Sequence, residues 1–191
     1  MLHLDELSLY LKNDDSILDV GCGYGRTLYE LYSNGYKNLK GVDFSSKMIE
    51  KGKQLYPFLD LTVKHDKTLE FDDCSYDAVI LSAVLTCIAD DNEQKYLLDD
   101  IFRILKPDGI IYVTDFLINY DRRNLIRYDL YASKYDKYGV FETPDGAVLR
   151  HHDIVWIKEL LSSFKMLTLK NVVYDTMNGH TSNAFYFIGK K

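Results

Sequence analysis

The sequence predicts an α/β protein: a mostly parallel sheet with helices on both faces, closed by an antiparallel strand pair. Three observations carry that prediction. Short apolar runs rich in branched residues alternate with helix-period patterns through position 116, two more strand-like runs stand near the C-terminus, and no second domain boundary is visible. With right-handed crossovers, such alternation builds a three-layer sandwich within one domain, 1–191.

Five runs read as strands before the pattern changes, at 16–20, 38–42, 59–64, 76–81 and 109–116. Between them, 25–34 places Leu28, Leu31 and Tyr32 on one side of a helix, and 92–106 spaces Tyr96, Leu97, Ile101, Ile104 and Leu105 at helical intervals. The span 64–76 is too short for a full crossover helix, so a loop or single turn is expected there. Residues 117–150 hold five tyrosines and no clear strand, and six basic against five acidic side chains make them +1 while the rest of the chain is -7. This stretch is expected to be a cap over an acceptor site, or a pair of surface helices. Asp153 then caps a helix with Ile154, Ile157, Leu160 and Leu161 on one face. Runs at 166–174 and 182–188, joined across the turn signal Asn178-Gly179, bring the strand count to seven.

Composition narrows the function class. The 191 residues can bury close to 70% of their unfolded surface, enough for a core without staples. Forty-seven per cent hydrophobic residues and only three prolines exclude collagen-like and disordered chains. Cys22, Cys74 and Cys87 are odd in number and irregularly spaced, which supports neither a disulfide framework nor a metal site. The first ten residues lack a signal-like apolar run, and no 18 apolar residues stand together, so a soluble cytoplasmic protein away from membranes is expected. A net charge of -6 argues against a general nucleic-acid coat, whose binding depends on lysine and arginine displacing counterions.

The chemistry concentrates at Ile17-Leu18-Asp19-Val20-Gly21-Cys22-Gly23-Tyr24-Gly25-Arg26, where a buried strand ends in a glycine-rich turn that opens a helix. Glycines let a ligand approach the backbone, and the helix amides meet its polar end. Arg26 stands where a G-x-G-x-x-G dinucleotide fingerprint needs its last glycine, which disfavours a nicotinamide-dependent oxidoreductase. The second strand ends in Gly41-Val42-Asp43, about 20 residues beyond the loop, where an acid can accept both hydroxyls of a ribose. Loop and acid together point to an adenosine-type ligand.

Three motifs in order, Leu18-Asp19-Val20-Gly21-Cys22-Gly23, Gly41-Val42-Asp43-Phe44-Ser45 and Arg103-Ile104-Leu105-Lys106-Pro107-Asp108-Gly109, make the chain resemble a class I S-adenosylmethionine-dependent methyltransferase. The resemblance spans residues 17–116 and implies a Rossmann-like sheet whose terminal strand pair matches the family's sixth and seventh strands. It implies S-adenosylmethionine as cofactor, S-adenosylhomocysteine as product and no metal. Gly21, Cys22 and Gly23 would run along the methionine part, with Asp19 near its amino group and Asp43 on the ribose. Phe44 would flank the adenine, Asp66 would accept from its amino group, and Leu81 and Ser82 would offer a backbone carbonyl to the ammonium. Asp108 replaces a more usual glycine and tolerates the left-handed conformation a turn needs.

The acceptor is less legible. Methyl transfer needs in-line positioning and exclusion of water, and a base only where the acceptor must lose a proton. His151 and His152 are candidates for that base, and Tyr120, Arg123, Tyr128 and Arg150 for acceptor contacts. The fourth strand ends in Leu81-Ser82-Ala83-Val84, unlike the Asn-Pro-Pro-Tyr motif of exocyclic-amine methylation. A small-molecule acceptor is therefore expected. An RNA acceptor, or a non-catalytic subunit that binds the cofactor for a partner chain, are the alternatives.

Overall fold

A computed structural model describes residues 2–66, 68–175 and 179–191. In chain order the elements are α1 (Leu4–Leu7), β1 (Ile17–Val20), α2 (Arg26–Ser33), β2 (Leu39–Asp43), α3 (Ser46–Leu55), β3 (Asp60–Val63), β4 (Tyr76–Ser82) and α4 (Asp91–Ile104). There follow β5 (Leu105–Phe116), α5 (Arg122–Tyr135), β6 (Val140–Glu142), β7 (Val148–Arg150), α6 (Ile154–Leu160), β8 (Lys165–Asp175) and β9 (Thr181–Lys190). Seven strands form one sheet in the order β3-β2-β1-β4-β5-β9-β8. The first five are parallel, and β9 runs antiparallel to both β5 and β8. This is the expected α/β sandwich with an antiparallel C-terminal strand.

Alternation along the strands sends side chains to two cores. Val20, Leu81, Val113 and Phe185 pack against Leu98 and Ile101 of α4 and Ile157 of α6. Ile17, Ile80, Tyr112 and Ile188 pack against Leu7 of α1, Leu28 and Leu31 of α2 and Ile49 of α3 on the other face. Each fully buried leucine or isoleucine contributes about 1.5–3 kcal/mol, so these helices are held by the sheet more than by their own propensity. The order in which strands are added reverses between β1 and β4, and parallel α/β sheets open a crevice beyond the strand ends at such a point.

Helix α3 escapes the sequence reading, although Ser45 is its N-cap and accepts from Met48 N at 3.3 Å. It matters because it braces the glycine loop. A Cβ on the buried Gly52 of α3 would lie 2.7 Å from the Tyr24 carbonyl oxygen and 2.5 Å from Leu61 Cδ1. Alanine improves helix propensity by about 1 kcal/mol, but crowding against backbone costs about 1–3 kcal/mol, and the backbone cannot swing aside. Gly52→Ala is therefore expected to lower the unfolding midpoint by up to roughly 8 °C in a thermal melt, the opposite of what propensity alone predicts.

The described residues between β3 and β4 form no helix, as the short span requires. Asp108 adopts a φ of 66°, and the β4–β5 pairing is irregular between Tyr76 and Ala78 as it absorbs the turn. The stretch 117–150 corrects the expectation of no strand and of a helix pair: it holds one helix, α5, and an antiparallel ribbon of β6 and β7. Each ribbon strand is three residues long, too short for an alternation signal, although Asp145-Gly146 between two apolar pairs is a hairpin cue. Asn178 of the predicted final turn lies outside the described residues.

Candidate active site

The glycine loop sits at the carboxyl end of β1. Gly21, Gly23 and Gly25 all take positive φ, of 75°, 55° and 87°. A Cβ on Gly21 would fall 2.5 Å from Val84 Cγ2, whereas one on Gly23 meets nothing within 4 Å, so the loop is tight on one side and open on the other. Gly21 N and Cys22 N both donate to the Val42 carbonyl, at 2.8 and 3.1 Å, which fastens the loop to β2. The Cys22 side chain is buried in the core of α1, α2 and α3, and burial pushes its thiol up.

Asp43 ends β2 and ties the loop to the start of α3. Its Oδ2 accepts from Gly23 N at 2.8 Å and its Oδ1 from Ser45 N at 2.8 Å. An ionised carboxylate has about four acceptor positions, so each oxygen keeps capacity for a ligand hydroxyl. Asp19 presents the opposite situation. It is 1% exposed, and neither carboxylate oxygen has a hydrogen-bond partner among the described residues. Burial pushes its carboxyl up to about 8, the Arg26 charge opposes the shift and Asp43 adds to it. A buried acid without a partner is costly, and a cation brought beside it would relieve that cost.

A cavity of about 520 Å³ opens beside the loop, with Val20, Gly21, Asp43 and Phe44 on one wall and Val84, Ile88 and Leu97 on the other. Phe44 is 62% exposed there, and Lys64 Nζ lies 5.4 Å from its ring centroid. Lys64 also donates to the carbonyls of Asp66 and Thr68, which fastens the loop after β3 at the cavity mouth. Thr68 lines the cavity, while the Asp66 side chain is exposed and outside its lining. Leu81 is fully buried opposite Val20 and Val113, and Ser82 ends β4 opposite Thr114. The structure thus gathers Asp19, the glycine loop, Asp43, Phe44, Leu81 and Ser82 at one end of the sheet.

Sequence reading missed the far wall. Val84 and Ile88 flank a short helical turn, Leu85–Cys87, positioned by the buried Asp115. Asp115 accepts from Thr86 N at 3.1 Å and from Phe116 N at 2.7 Å, and burial pushes its carboxyl up to about 7. Nothing in the local sequence marks Asp115, because the turn it holds through Thr86 lies 29 residues upstream.

The acceptor candidates fare differently. His152 is 1% exposed, with Nε2 on Gln94 at 2.9 Å and Nδ1 on the Phe116 carbonyl at 3.1 Å. His151 is 7% exposed and its Nδ1 meets Tyr128 Oη at 2.6 Å. Burial pulls both imidazoles down to about 3, and neither lines the cavity beside the glycine loop. Tyr128 is fully buried in that same contact. Arg150 pairs with Asp91 at 2.6 Å beneath the ribbon and donates to the Ala89 carbonyl. These four groups hold 117–150 onto the domain, and His152 also lines a hollow of about 430 Å³ with Tyr120 and Asn183. Tyr120 and Arg123 remain exposed and line a hollow of about 400 Å³ with Thr181 and Asn183.

A fold with its crevice at the β1/β4 reversal and an acid-anchored glycine loop defines a nucleotide-type cofactor enzyme of the three-layer α/β class. Residues 18–113 match the methyltransferase domain family, and the chain belongs to it as a class I S-adenosylmethionine-dependent methyltransferase. It is 29% identical over 116 residues to a ubiquinone/menaquinone biosynthesis C-methyltransferase of Campylobacter jejuni, covering 58% of this chain and 48% of that protein. It is 34% identical over 125 residues to a tRNA N(3)-methylcytidine methyltransferase of Schizosaccharomyces pombe, covering 58% and 40%. The chain thus spans about half the length, or less, of these curated relatives. A solved S-adenosylmethionine-dependent methyltransferase from Methanosarcina mazei superimposes with a TM-score of 0.90 at 26% identity, covering 97% of this chain and 96% of that one. Among the described residues, no helix is long and apolar enough to cross a membrane, and no cluster of His, Cys, Asp or Glu is built to hold a metal ion.

Proposed function

We propose that this chain is a single-domain enzyme that moves a methyl group from S-adenosylmethionine to a small-molecule acceptor. The observation that carries the reading is Asp19, a fully buried carboxyl group with no hydrogen-bond partner among the described residues, two positions before a glycine loop that is open at Gly23. A cationic ligand end fits it, and the cofactor's methionine ammonium is such an end. Gly21, Cys22 and Gly23 present backbone to the methionine part, Asp43 holds the ribose hydroxyls, and Phe44 flanks the adenine. Asp66 at the cavity mouth accepts from the adenine amino group, and the β4 end at Leu81 and Ser82 offers its carbonyl to the ammonium. The bound cofactor supplies an electrophilic methyl on a sulfonium. The protein's part is to align donor and acceptor and to exclude water.

Residues 117–150 leave the end of β5 and form one wall over the acceptor, with Tyr120 and Arg123 at its open hollow. A small-molecule acceptor agrees with the activity of the quinone-biosynthesis relative, and the tRNA-modifying relative supports an RNA acceptor as the second reading. Methyl transfer from labelled S-adenosylmethionine, measured with a quinol and phenol panel and with total tRNA, separates them. Label transfer to a small molecule that survives ribonuclease is expected; transfer confined to tRNA and abolished by ribonuclease would replace the small-molecule reading.

A further inference from the structure

The far wall of the cofactor cavity and the start of α6 meet at one buried side chain, Gln94 of α4, which is 0% exposed. Its amide orientation is fixed by partners that can play only one role. The Trp156 indole N–H can only donate, and it donates to Gln94 Oε1 at 2.7 Å. The carbonyls of Leu85 and Ile88 can only accept, and Gln94 Nε2 donates to them at 3.0 and 2.7 Å. His152 follows the same logic. Its Nδ1 lies 3.1 Å from the Phe116 carbonyl and carries the proton there, so the neutral ring keeps a lone pair on Nε2, which faces Gln94 Nε2 at 2.9 Å. Burial pulls this imidazole down to about 3, which keeps it neutral at pH 7. The two amide protons of Gln94 are therefore shared among acceptors on the Leu85–Cys87 turn, at Ile88 and at His152 beyond β7.

These bonds join two places that the chain keeps far apart. Val84 and Ile88 line the cofactor cavity, and Val84 is the side chain on which the tight side of the glycine loop rests. His152 lines the hollow of about 430 Å³ that Tyr120 and Asn183 share. Two further contacts run in parallel. Thr86 Oγ1 donates to the Arg150 carbonyl at 2.8 Å, and Arg150 Nη1 donates to the Ala89 carbonyl at 3.1 Å and to Asp91 at 2.6 Å. A shift of the turn alone would strand buried carbonyls and an imidazole lone pair, so the turn and the exit of β7 move together.

We propose that Gln94 is a positioning residue that couples the cofactor cavity to the cap: it holds the far wall at Ile88 and transmits a shift of that wall to His152 and Trp156. The inference rests on the reading of this cavity as the S-adenosylmethionine site. A ligand that presses on Val84 or Ile88 displaces the carbonyls to which Gln94 donates. The amide follows them, and the indole bond at its other end changes in length and direction. An acceptor that presses on His152 acts on the same amide from the opposite side. Linkage then requires that each ligand change the affinity of the other by one common factor.

The single tryptophan makes the coupling readable. The indole N–H of Trp156 gives one nitrogen-15 cross-peak. Titration of the wild-type chain with S-adenosylhomocysteine is expected to shift that peak saturably, with the dissociation constant that calorimetry gives. Gln94→Met replaces the amide by an apolar chain of similar length. It is expected to bind S-adenosylhomocysteine about tenfold more weakly, and its indole peak should no longer respond to the ligand. Thr86→Val keeps the side-chain shape and removes only the parallel contact to Arg150, so it should weaken binding about threefold or less and keep the indole response. That variant and the wild-type titration carry the test if Gln94→Met does not fold. A merely structural Gln94 would lower the melting temperature and leave both the affinity of the folded chain and the indole response in place. That outcome, or a wild-type indole peak that stays fixed while S-adenosylhomocysteine saturates the chain, would overturn the coupling. Failure of the wild-type chain to bind S-adenosylhomocysteine in calorimetry would instead overturn the cofactor reading beneath it.

Discussion

Asp43→Ala is expected to weaken S-adenosylhomocysteine binding by about 100-fold or more. Two effects combine. The carboxylate's bonds from Gly23 N and Ser45 N, both 2.8 Å, hold the glycine loop and the start of α3 in place before any ligand arrives. The same oxygens are the proposed acceptors for two ribose hydroxyls. Hydrogen bonds to a charged group are worth about 1.5–3 kcal/mol each, so losing two at the ligand exceeds about 3 kcal/mol, and each 1.4 kcal/mol is tenfold in affinity. Titration calorimetry on the variant reads this directly. Asp43→Asn keeps an acceptor for only part of the set and should fall between; a variant that binds as tightly as wild type would remove Asp43 from the site.

Asp19→Asn should do the reverse to stability, raising the unfolding midpoint of the ligand-free protein while weakening its ligand. The folded-state value of about 8 lies above the ordinary aspartate value of 3.8, so the folded chain holds this proton more tightly than the unfolded chain. Its stability is then full below about pH 4, falls as the pH rises toward 8, and is level beyond. Asparagine never ionises and escapes that loss, although its buried amide keeps part of the penalty of an unpaired polar group. A net gain on the order of 3 kcal/mol above pH 8, or roughly 6–12 °C, is expected. Thermal melts of both proteins from pH 4 to pH 9 check it, and the gap must widen with pH. A constant gap would mean that Asp19 is already paired in the folded chain.

What the sequence revealed was chemistry carried by local patterns. The glycine loop, Asp43 and the alternation of β1 to β5 are legible because turn geometry and strand periodicity act over a few residues. The isolation of Asp19 is not, since burial without a partner depends on what the rest of the chain fails to supply. Tyr128 and Arg150 read as ligand contacts because their side chains are good ones. Only the fold shows them consumed by His151 and Asp91. The ribbon of β6 and β7 was hidden by its shortness, and α3 by a pattern weaker than its cap.

The crevice beside the glycine loop and Asp43 is the proposed S-adenosylmethionine site. Thermal unfolding of the wild-type chain with S-adenosylhomocysteine, and with NAD in parallel, tests it most directly. At 100 times its dissociation constant a bound ligand adds about 2.7 kcal/mol, a rise of roughly 5–11 °C for a chain of this size. That rise with S-adenosylhomocysteine and none with NAD is the predicted result. No rise with S-adenosylhomocysteine, or a rise with NAD alone, would contradict the account.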